Sequence, residues 1–313
     1  TEPLCYLPMS VDNSGGGQIW VPEHAKIGIK SSELIHLSYG KSAIYHVLRE
    51  KVEDGFYQGG VVKLPVKLAS SAQRAVFHPD GSMYVAGFRG WQTNAAREAG
   101  FQRIRRNDSV ANPLPSGMKV TKDGVALRFD VELDDELATD PSSFTVKRWK
   151  YIRSVQYGSG QFSVDHPDLE AEKKAAVKES KGHRKHDNVK VLAAKLLADK
   201  KTILLKLDGH KPAQQVKLDY DLDVLDDEQL LDDLVPARGD VPFCLVSPIV
   251  CFVVWKSALR IEDGARKNQG EVHDDFSAGE EVRSQGGLFP GRLEPRDPVI
   301  PPACNLVRGF VVV

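Results

Sequence analysis

The sequence lacks an excess of charge of either sign. Its 42 Lys and Arg stand against 43 Asp and Glu, a formal net charge of −1. That removes any case for nucleic-acid binding driven by overall charge. Cysteine is scarce: Cys5, Cys244, Cys251 and Cys304 are the four, and no two have Cys-x-x-Cys spacing. Covalent c-type haem and Cys-rich zinc sites within the chain are thereby excluded. Buried or unpaired thiols are expected, a disulfide stays open, and the redox compartment is undecided. Long apolar runs are absent too. A membrane-spanning helix needs about 20 apolar residues, and Val241–Trp255 offers fifteen, interrupted by Pro242 and Pro248. Membrane association is therefore not expected. The chain opens on Thr-Glu-Pro, without an initiator Met or a signal peptide. A piece of a longer protein is the expectation.

What is present is strand texture. The clearest stretch is Arg74–Arg105. Ala75–Phe77 reads as a strand. His78-Pro79-Asp80-Gly81 reads as a tight turn, because Pro suits its first corner and Gly takes a positive φ cheaply. Met83–Ala86 is a second strand, Phe88–Gln92 opens a polar loop, and Phe101–Arg105 alternates as a third strand. Short strands joined by Asp-Gly turns are the texture of a β-propeller blade.

Upstream, Leu34–Gly40, Ala43–Leu48, Tyr57–Pro65 and Val66–Ser71 read as the four strands of one blade. Ser10–Gln18 is a Gly-rich loop before a strand at Ile19–Val21. No Gly-Lys-Ser/Thr follows, so the three glycines are not a P-loop. They suit a loop whose backbone approaches a ligand or a neighbouring blade. Loop and strand-start positions supply the candidate site: Asp12 and Asn13, His36 as the one plausible base, and Arg89 and Trp91. Arg offers a planar fork for carboxylates and Trp an apolar plate. Each has a plain alternative: His36 as a satisfied strand residue, Trp91 as packing.

Four runs carry a resemblance: PLCYLPMSVDNSGGGQIWV, LIHLSYGKSAIYHVLRE, FYQGGVVKLP and DGSMYVAGFRGWQTNAAREAGFQRIRR. They resemble the closing blades of exported glucose/sorbosone dehydrogenase-like proteins of Planctomycetes and Verrucomicrobia. These are described as haem-binding or membrane-bound dehydrogenase-like. The resemblance spans roughly residues 1–230. It implies a periplasmic or otherwise exported protein that oxidises a sugar or alcohol with pyrroloquinoline quinone and calcium. Electrons would pass to a cytochrome whose c-type haem lies outside this chain. Asp12, Asn13, Arg89 and Trp91 would then line the cofactor site. The other reading is a non-catalytic propeller and sandwich binding carbohydrate or protein.

Asn112–Gly117 is rich in Pro and Gly and reads as a linker. Beyond it Met118–Thr121, Ala126–Phe129, Phe144–Trp149, Val189–Leu192, Thr202–Leu207 and Gln215–Tyr220 read as strands, with Lys122-Asp123-Gly124 a hairpin turn. They fit an immunoglobulin-like β-sandwich without the Cys-Trp-Cys hallmark. Arg148–Val164 also matches the resemblance, and Trp149 and Tyr151 are expected in the sandwich core, sugar stacking being the alternative. Asp134–Pro141 is an acidic connection. Glu170–Lys190 reads as a solvated, partly helical insertion, since the Arg184 and Lys185 charges oppose a metal at His183 and His186. Asp221–Asp233 lacks the glycine and final Glu of an EF-hand. The expected organisation is all-β: a partial propeller over 1–108, a linker at 109–117, a sandwich over 118–240, and an apolar run with an irregular or non-native tail over 241–313.

Overall fold

The computed structural model describes residues 3–53, 56–106, 114–154, 158–178, 180 and 182–222, together with the backbone of three strands farther on, at 249–254, 305–307 and 310–312. The fold is all-β, built of antiparallel sheets, with two short α-helices and one 3-10 turn among the described residues. The first four strands form a meander in chain order: β1 (Gly15–Trp20), β2 (Leu34–Ser38), β3 (Ala43–Glu53) and β4 (Phe56–Lys63). A second meander follows, β5 (Arg74–Phe77), β6 (Met83–Phe88) and β7 (Ala99–Arg106), as the His78–Gly81 turn and the strand texture predict. Gly81 has the positive φ, 92°, that the turn demands.

Val66–Ser71 is not a strand, contrary to expectation. Pro65 has no N–H for the ladder, and the segment spends its backbone groups elsewhere. The Val66 amide turns back to the Leu64 carbonyl at 2.8 Å, Ala69 N donates to the Gln102 Oε1 atom at 2.6 Å, and the Ala69 carbonyl accepts from Ala96 and Arg97. The fourth strand of the first meander is instead β1, which takes in Gly15–Gly17 from the expected loop. At Gly16 a side chain would collide with the Ala72 carbonyl and lie 2.9 Å from the Gln73 Cα atom. The glycines therefore permit backbone approach between β1 and the start of β5.

After the Pro-rich stretch come β8 (Pro115–Val120) and β9 (Gly124–Phe129), closed by the expected hairpin turn. The acidic connection folds into helix α1 (Asp135–Thr139), whose N-terminus is capped by Asp134 accepting from the Leu137 amide at 2.9 Å. The strands β10 (Phe144–Ile152), β11 (Gly160–Phe162), β12 (Asp187–Val189), β13 (Val191–Leu196), β14 (Thr202–Leu207) and β15 (Ala213–Tyr220) follow, with helix α2 (Leu169–Val177) inside the insertion expected to be partly helical. Three further strands are β16 (Ile249–Val254), β17 (Asn305–Val307) and β18 (Phe310–Val312).

A nine-stranded sheet runs β1-β2-β3-β4-β16-β15-β10-β11, and β12 also pairs with β10. A four-stranded sheet runs β13-β14-β9-β8, and a five-stranded sheet β17-β18-β7-β6-β5. β6 and β7 alternate as half-buried strands must: Met83, Val85 and Ile104 point inward and are fully buried, while Tyr84, Phe101 and Arg103 face outward. One apolar cluster contains Ile35, Leu48, Met83, Ile104, Leu127, Phe129, Ile203 and Leu218. The residues before and after the Pro-rich stretch thus share a core. Residues 1–256 and 303–313 form one compact unit.

Trp149 is buried but lies outside that cluster. It sits under His186, with ring centroids 4.1 Å apart and nearly parallel. Phe162 carries His183 in the same manner at 4.0 Å. Both histidines of the insertion thus cover an aromatic ring: His183 is half-buried, and His186 keeps its other side exposed. Burial and the nearby Lys147 and Arg184 charges lower the His186 pKa, disfavouring the charged form of that stacked ring. Tyr151 is half-buried against Tyr6, centroids 5.3 Å apart. Cys5 is packed against a second apolar cluster, and burial pushes its thiol up to about 11, so it is inert as a nucleophile. Cys244 and Cys304, the acidic run from residue 223 and most of the tail beyond 240 lie outside the described residues.

Candidate functional site

Two of the predicted site residues meet. β2 places His36 and Ser38 on one face, because a strand repeats every second residue. The turn before β1 brings Asp12 beneath them. His36 Nε2 lies 2.6 Å from Asp12 Oδ2, Ser38 Oγ donates to Asp12 Oδ1 at 2.5 Å, and the Ser14 amide donates to the same oxygen at 3.0 Å. Asp12 and His36 are 9% and 7% exposed. Burial alone would raise the Asp12 pKa. The hydrogen bonds from His36, Ser38 and the Ser14 amide outweigh it and hold the carboxyl below its ordinary value.

An ionised carboxylate only accepts, so His36 Nε2 carries the hydrogen in this pair. In the neutral ring Nδ1 is left as an acceptor, and that buried atom meets no hydrogen-bond partner among the described residues. Asp12 is central: serine and histidine both donate to it, and Ser38 does not donate to His36. The three residues therefore make a buried knot and not a nucleophilic triad, in which the serine would donate to the histidine.

The sign of its pH dependence follows from the lowered pKa. Such a carboxylate contributes stability that is fully present above its unfolded value, near 4, and is lost as pH falls through the folded one. Urea midpoints measured from pH 7 down to pH 3 should fall, and the fall should be smaller in Asp12→Asn. An equal fall in both proteins would show that the knot is not what acid breaks.

Asn13 leads to the next group. Its Nδ2 donates to the Gln92 carbonyl at 3.1 Å, and its side chain fills the space beside Gly40. Gly40 in turn accepts from the Asn94 amide at 2.9 Å. These bonds tie the β6–β7 loop down to the turn after β2. Ser71 holds the near end of the loop: its hydroxyl donates to the Phe88 carbonyl at 2.7 Å and accepts from the Phe88 amide at 3.0 Å. Arg89 N donates to the Glu98 carbonyl at 2.7 Å, closing the neck of the loop, and the two side chains pair loosely at 3.8 Å. Gln92 adopts a left-handed φ of 58° at the tip. Trp91 rides beside it, 85% exposed.

Thus Asp12 and His36 lie together in the interior, Asn13 bridges from them to the loop, and Arg89 and Trp91 stand on that loop at the surface. Ser38 and Ser71 carry no motif. For Ser38 the only sequence signal is its place two residues after His36. Ser71 is fixed by tertiary contact alone.

No family model, curated protein or solved structure matches the chain.

The resemblance implies calcium and a quinone as cofactors. Calcium takes six to eight oxygen ligands. Both Asp12 oxygens are already committed to protein donors, and among the described residues no three His, Cys, Asp or Glu side chains gather as a metal-ligating group. A tricarboxylated quinone would need several cations; the loop carries Arg89, already paired with Glu98, and Arg97. The described residues do not fit a quinone–calcium centre.

A small cleft of about 70 Å³ lies among the segment before β2, His46 of β3, Arg106 of β7 and the residues at the start of β8 and just after β9. Five of its polar side chains, Lys30, Glu33, His46, Ser116 and Asp130, pair with one another. Glu33 lies 3.4 Å from His46 Nε2, which together with the nearby Arg49 and Lys30 charges outweighs burial and lowers the Glu33 pKa. Lys30 and Ser116 both donate to Asp130. Such a lining braces two segments and leaves few groups to turn toward a ligand.

Proposed function

We propose that this chain is a binding module of an exported protein of the glucose/sorbosone dehydrogenase-like kind, and that its contact surface is the β6–β7 loop. On this reading β1–β4 and β5–β7 are two neighbouring propeller blades, β8–β15 form the sandwich, and β16 joins the first blade to a sandwich sheet. Meanders in chain order and the close approach of β1 to β5 support the first part. The observation that carries the functional part is a contrast in exposure. His36, the one candidate base, is buried and bonded to Asp12, while Trp91 is almost wholly exposed on a loop braced at its tip, neck and base. A braced, exposed aromatic loses little entropy when it binds. Oxidation of the sugar or alcohol, its quinone and the cytochrome acceptor would then belong to other parts of the intact protein.

A second reading has one observation in its favour. The partnerless Nδ1 of His36 is where a general base would accept a proton from an alcohol, with Asp12 orienting the ring. Two measurements separate the readings. Dye reduction with added pyrroloquinoline quinone, calcium and a panel of sugars and alcohols should give no turnover with this chain. Turnover lost in His36→Gln would establish the catalytic reading instead.

Trp91→Ala should leave the thermal midpoint within about 0.5 kcal/mol of the parent in stability terms, because an exposed side chain holds little of the fold. The same substitution should abolish the change in tryptophan fluorescence produced by a bound ligand. A large loss of stability would make Trp91 a packing residue and remove the basis of the binding reading.

A further inference from the structure

The face of the nine-stranded sheet away from the main core is crossed by the N-terminal segment. Leu4, Cys5 and Leu7 pack against a second apolar cluster made of Val11, Ala43, Tyr45, Val47 and Val61. Two contacts fix where this strap lies. A Cβ at Gly59 of β4 would stand 2.9 Å from the Leu4 side chain, so Leu4 covers β4. Tyr6 packs on Tyr151 of β10, and its hydroxyl accepts from Arg153 at 3.3 Å. In the sheet, β16 and β15 lie between β4 and β10. Neighbouring strands are about 4.8 Å apart, so Leu4 and Tyr6 straddle the two strands in the middle. Cys5 is the residue between them, and its packing against the Val61 cluster draws it to the β4 side.

Ladder register places a second cysteine there. Cys251 of β16 is opposite Val61 of β4 and opposite Lys217 of β15. Residues directly opposite in an antiparallel pair share a face, and so do residues two apart along a strand. Cys251 therefore belongs to the face of Val61 and Gly59. The same count, from Lys217 to its partner Lys147 and on along β10, leads to Tyr151. Both contacts of the strap thus lie on the Cys251 face. Directly opposite α-carbons are about 4.5–5.5 Å apart, so Cys251 is the immediate neighbour of a residue in the cluster that Cys5 packs against. A disulfide asks for α-carbons about 4.4–6.8 Å apart. Gly59 has no side chain to hold the strap away from the sheet at this point.

We infer that Cys5 and Cys251 form a disulfide that clasps the N-terminal strap to β16. Cys5 is a free thiol in this structure, the reduced form of the pair. Oxidation consumes one low-molecular-weight disulfide such as oxidised glutathione. One cysteine thiolate attacks it and expels a first glutathione, and the other cysteine displaces the second from the mixed disulfide. Two protein thiols are thus oxidised to one disulfide, and the oxidant is reduced to two thiols that take up the protons. Burial suppresses ionisation of Cys5 while the strap is down, so the exchange takes place as the strap docks. In a reducing compartment the pair stays as two thiols, and packing alone holds the strap. The clasp stands apart from the binding-module reading, because it forms whatever the β6–β7 loop binds.

The test keeps the full chain folded in excess oxidised glutathione. Free thiols are then blocked with iodoacetamide in denaturant, and the digest is read by mass spectrometry. The expected result is a peptide joining Cys5 to Cys251 that disappears on reduction with dithiothreitol. Amide exchange at Tyr6 and Leu7 should slow by about tenfold or more on oxidation, and Cys251→Ala should abolish the slowing. Should Cys251→Ala fail to fold, the double variant Cys244→Ser, Cys304→Ser replaces it. That variant keeps only this pair and should form the same bond and show the same slowing.

Cys251 bridged mainly to Cys244, or Cys5 bridged mainly to Cys304, would overturn the clasp. Blocking of all four cysteines after oxidation of the folded chain would overturn it too, as would glutathione left on Cys5 or Cys251 as a mixed disulfide. A Cys5–Cys251 bond that leaves exchange at Tyr6 unchanged would show that the strap is held without it, and would remove its role as a clasp.

Discussion

Asp12→Ala should destabilise the protein by about 3–5 kcal/mol, more than any single change on the β6–β7 loop. The substitution removes the acceptor for two buried donors. Each buried polar group left without a partner costs about 1–3 kcal/mol, and here His36 Nε2 and the Ser38 hydroxyl lose theirs together. The Ser14 amide loses its bond as well. Asp12→Asn should cost less, because the amide oxygen still accepts one of these bonds. Urea unfolding at pH 7 measures both. A double substitution, Asp12→Ala with Ser38→Ala, should be less than additive, since the second change removes a donor already stranded. Full additivity would show that the three groups do not act as one unit.

The second large effect is expected at Gly87. A Cβ there would fall on the Ser71 carbonyl, inside any van der Waals separation, with the Ser71 Oγ close behind. The conflict is with backbone, which cannot rotate away. Gly87→Ala should therefore cost about 3 kcal/mol, the upper range for forcing an atom into a packed site. Its consequence reaches further than stability. Ser71 clasps Phe88 by two hydrogen bonds, so moving Ser71 loosens the base of the loop that carries Trp91. Amide exchange at Phe88 should accelerate, while exchange in β9 and β14 should track the global loss. Protection at Phe88 that follows only the global loss would separate the clasp from the loop.

Much of this fold is legible in the residues. Alternation finds β6, β14 and β15, which bury one face and leave the other nearer solvent, while β2, Ala43–Leu48 of β3 and β4 read as short apolar runs and are buried on both faces. The Asp-Gly and Lys-Asp-Gly turns mark their hairpins. What escapes has a physical cause in each case. β11 is three residues, too short for any period. Helix α1 depends on its Asp134 cap more than on an apolar stripe, and in a run of acidic residues the cap looks like the rest. Val66–Ser71 has the apolar content of a strand, yet Pro65 before it and the side chain of Gln102 across from it redirect its hydrogen bonds. The same limit governs the site. His36 and Asp12 are individually visible, but only the turn at Val11–Asn13 brings them together. Trp91 and Phe101 differ little as letters, and their exposure is decided by a loop and a face that folding creates.

The approach of β1 to β5 bears on how the protein behaves when crowded with copies of itself. A sheet edge is an invitation to foreign strands, since its unpaired amides and carbonyls can extend a ladder into another molecule. Here β1 ends one sheet and β5 ends another. The bare backbone of Gly16 sets them against each other, and Arg74 caps the Gly16 carbonyl at 2.6 Å. Each edge thus shields the other from polymerisation. A side chain at position 16 would do more than strain the contact: it would part the two edges and expose both, turning a local steric fault into a route to aggregation.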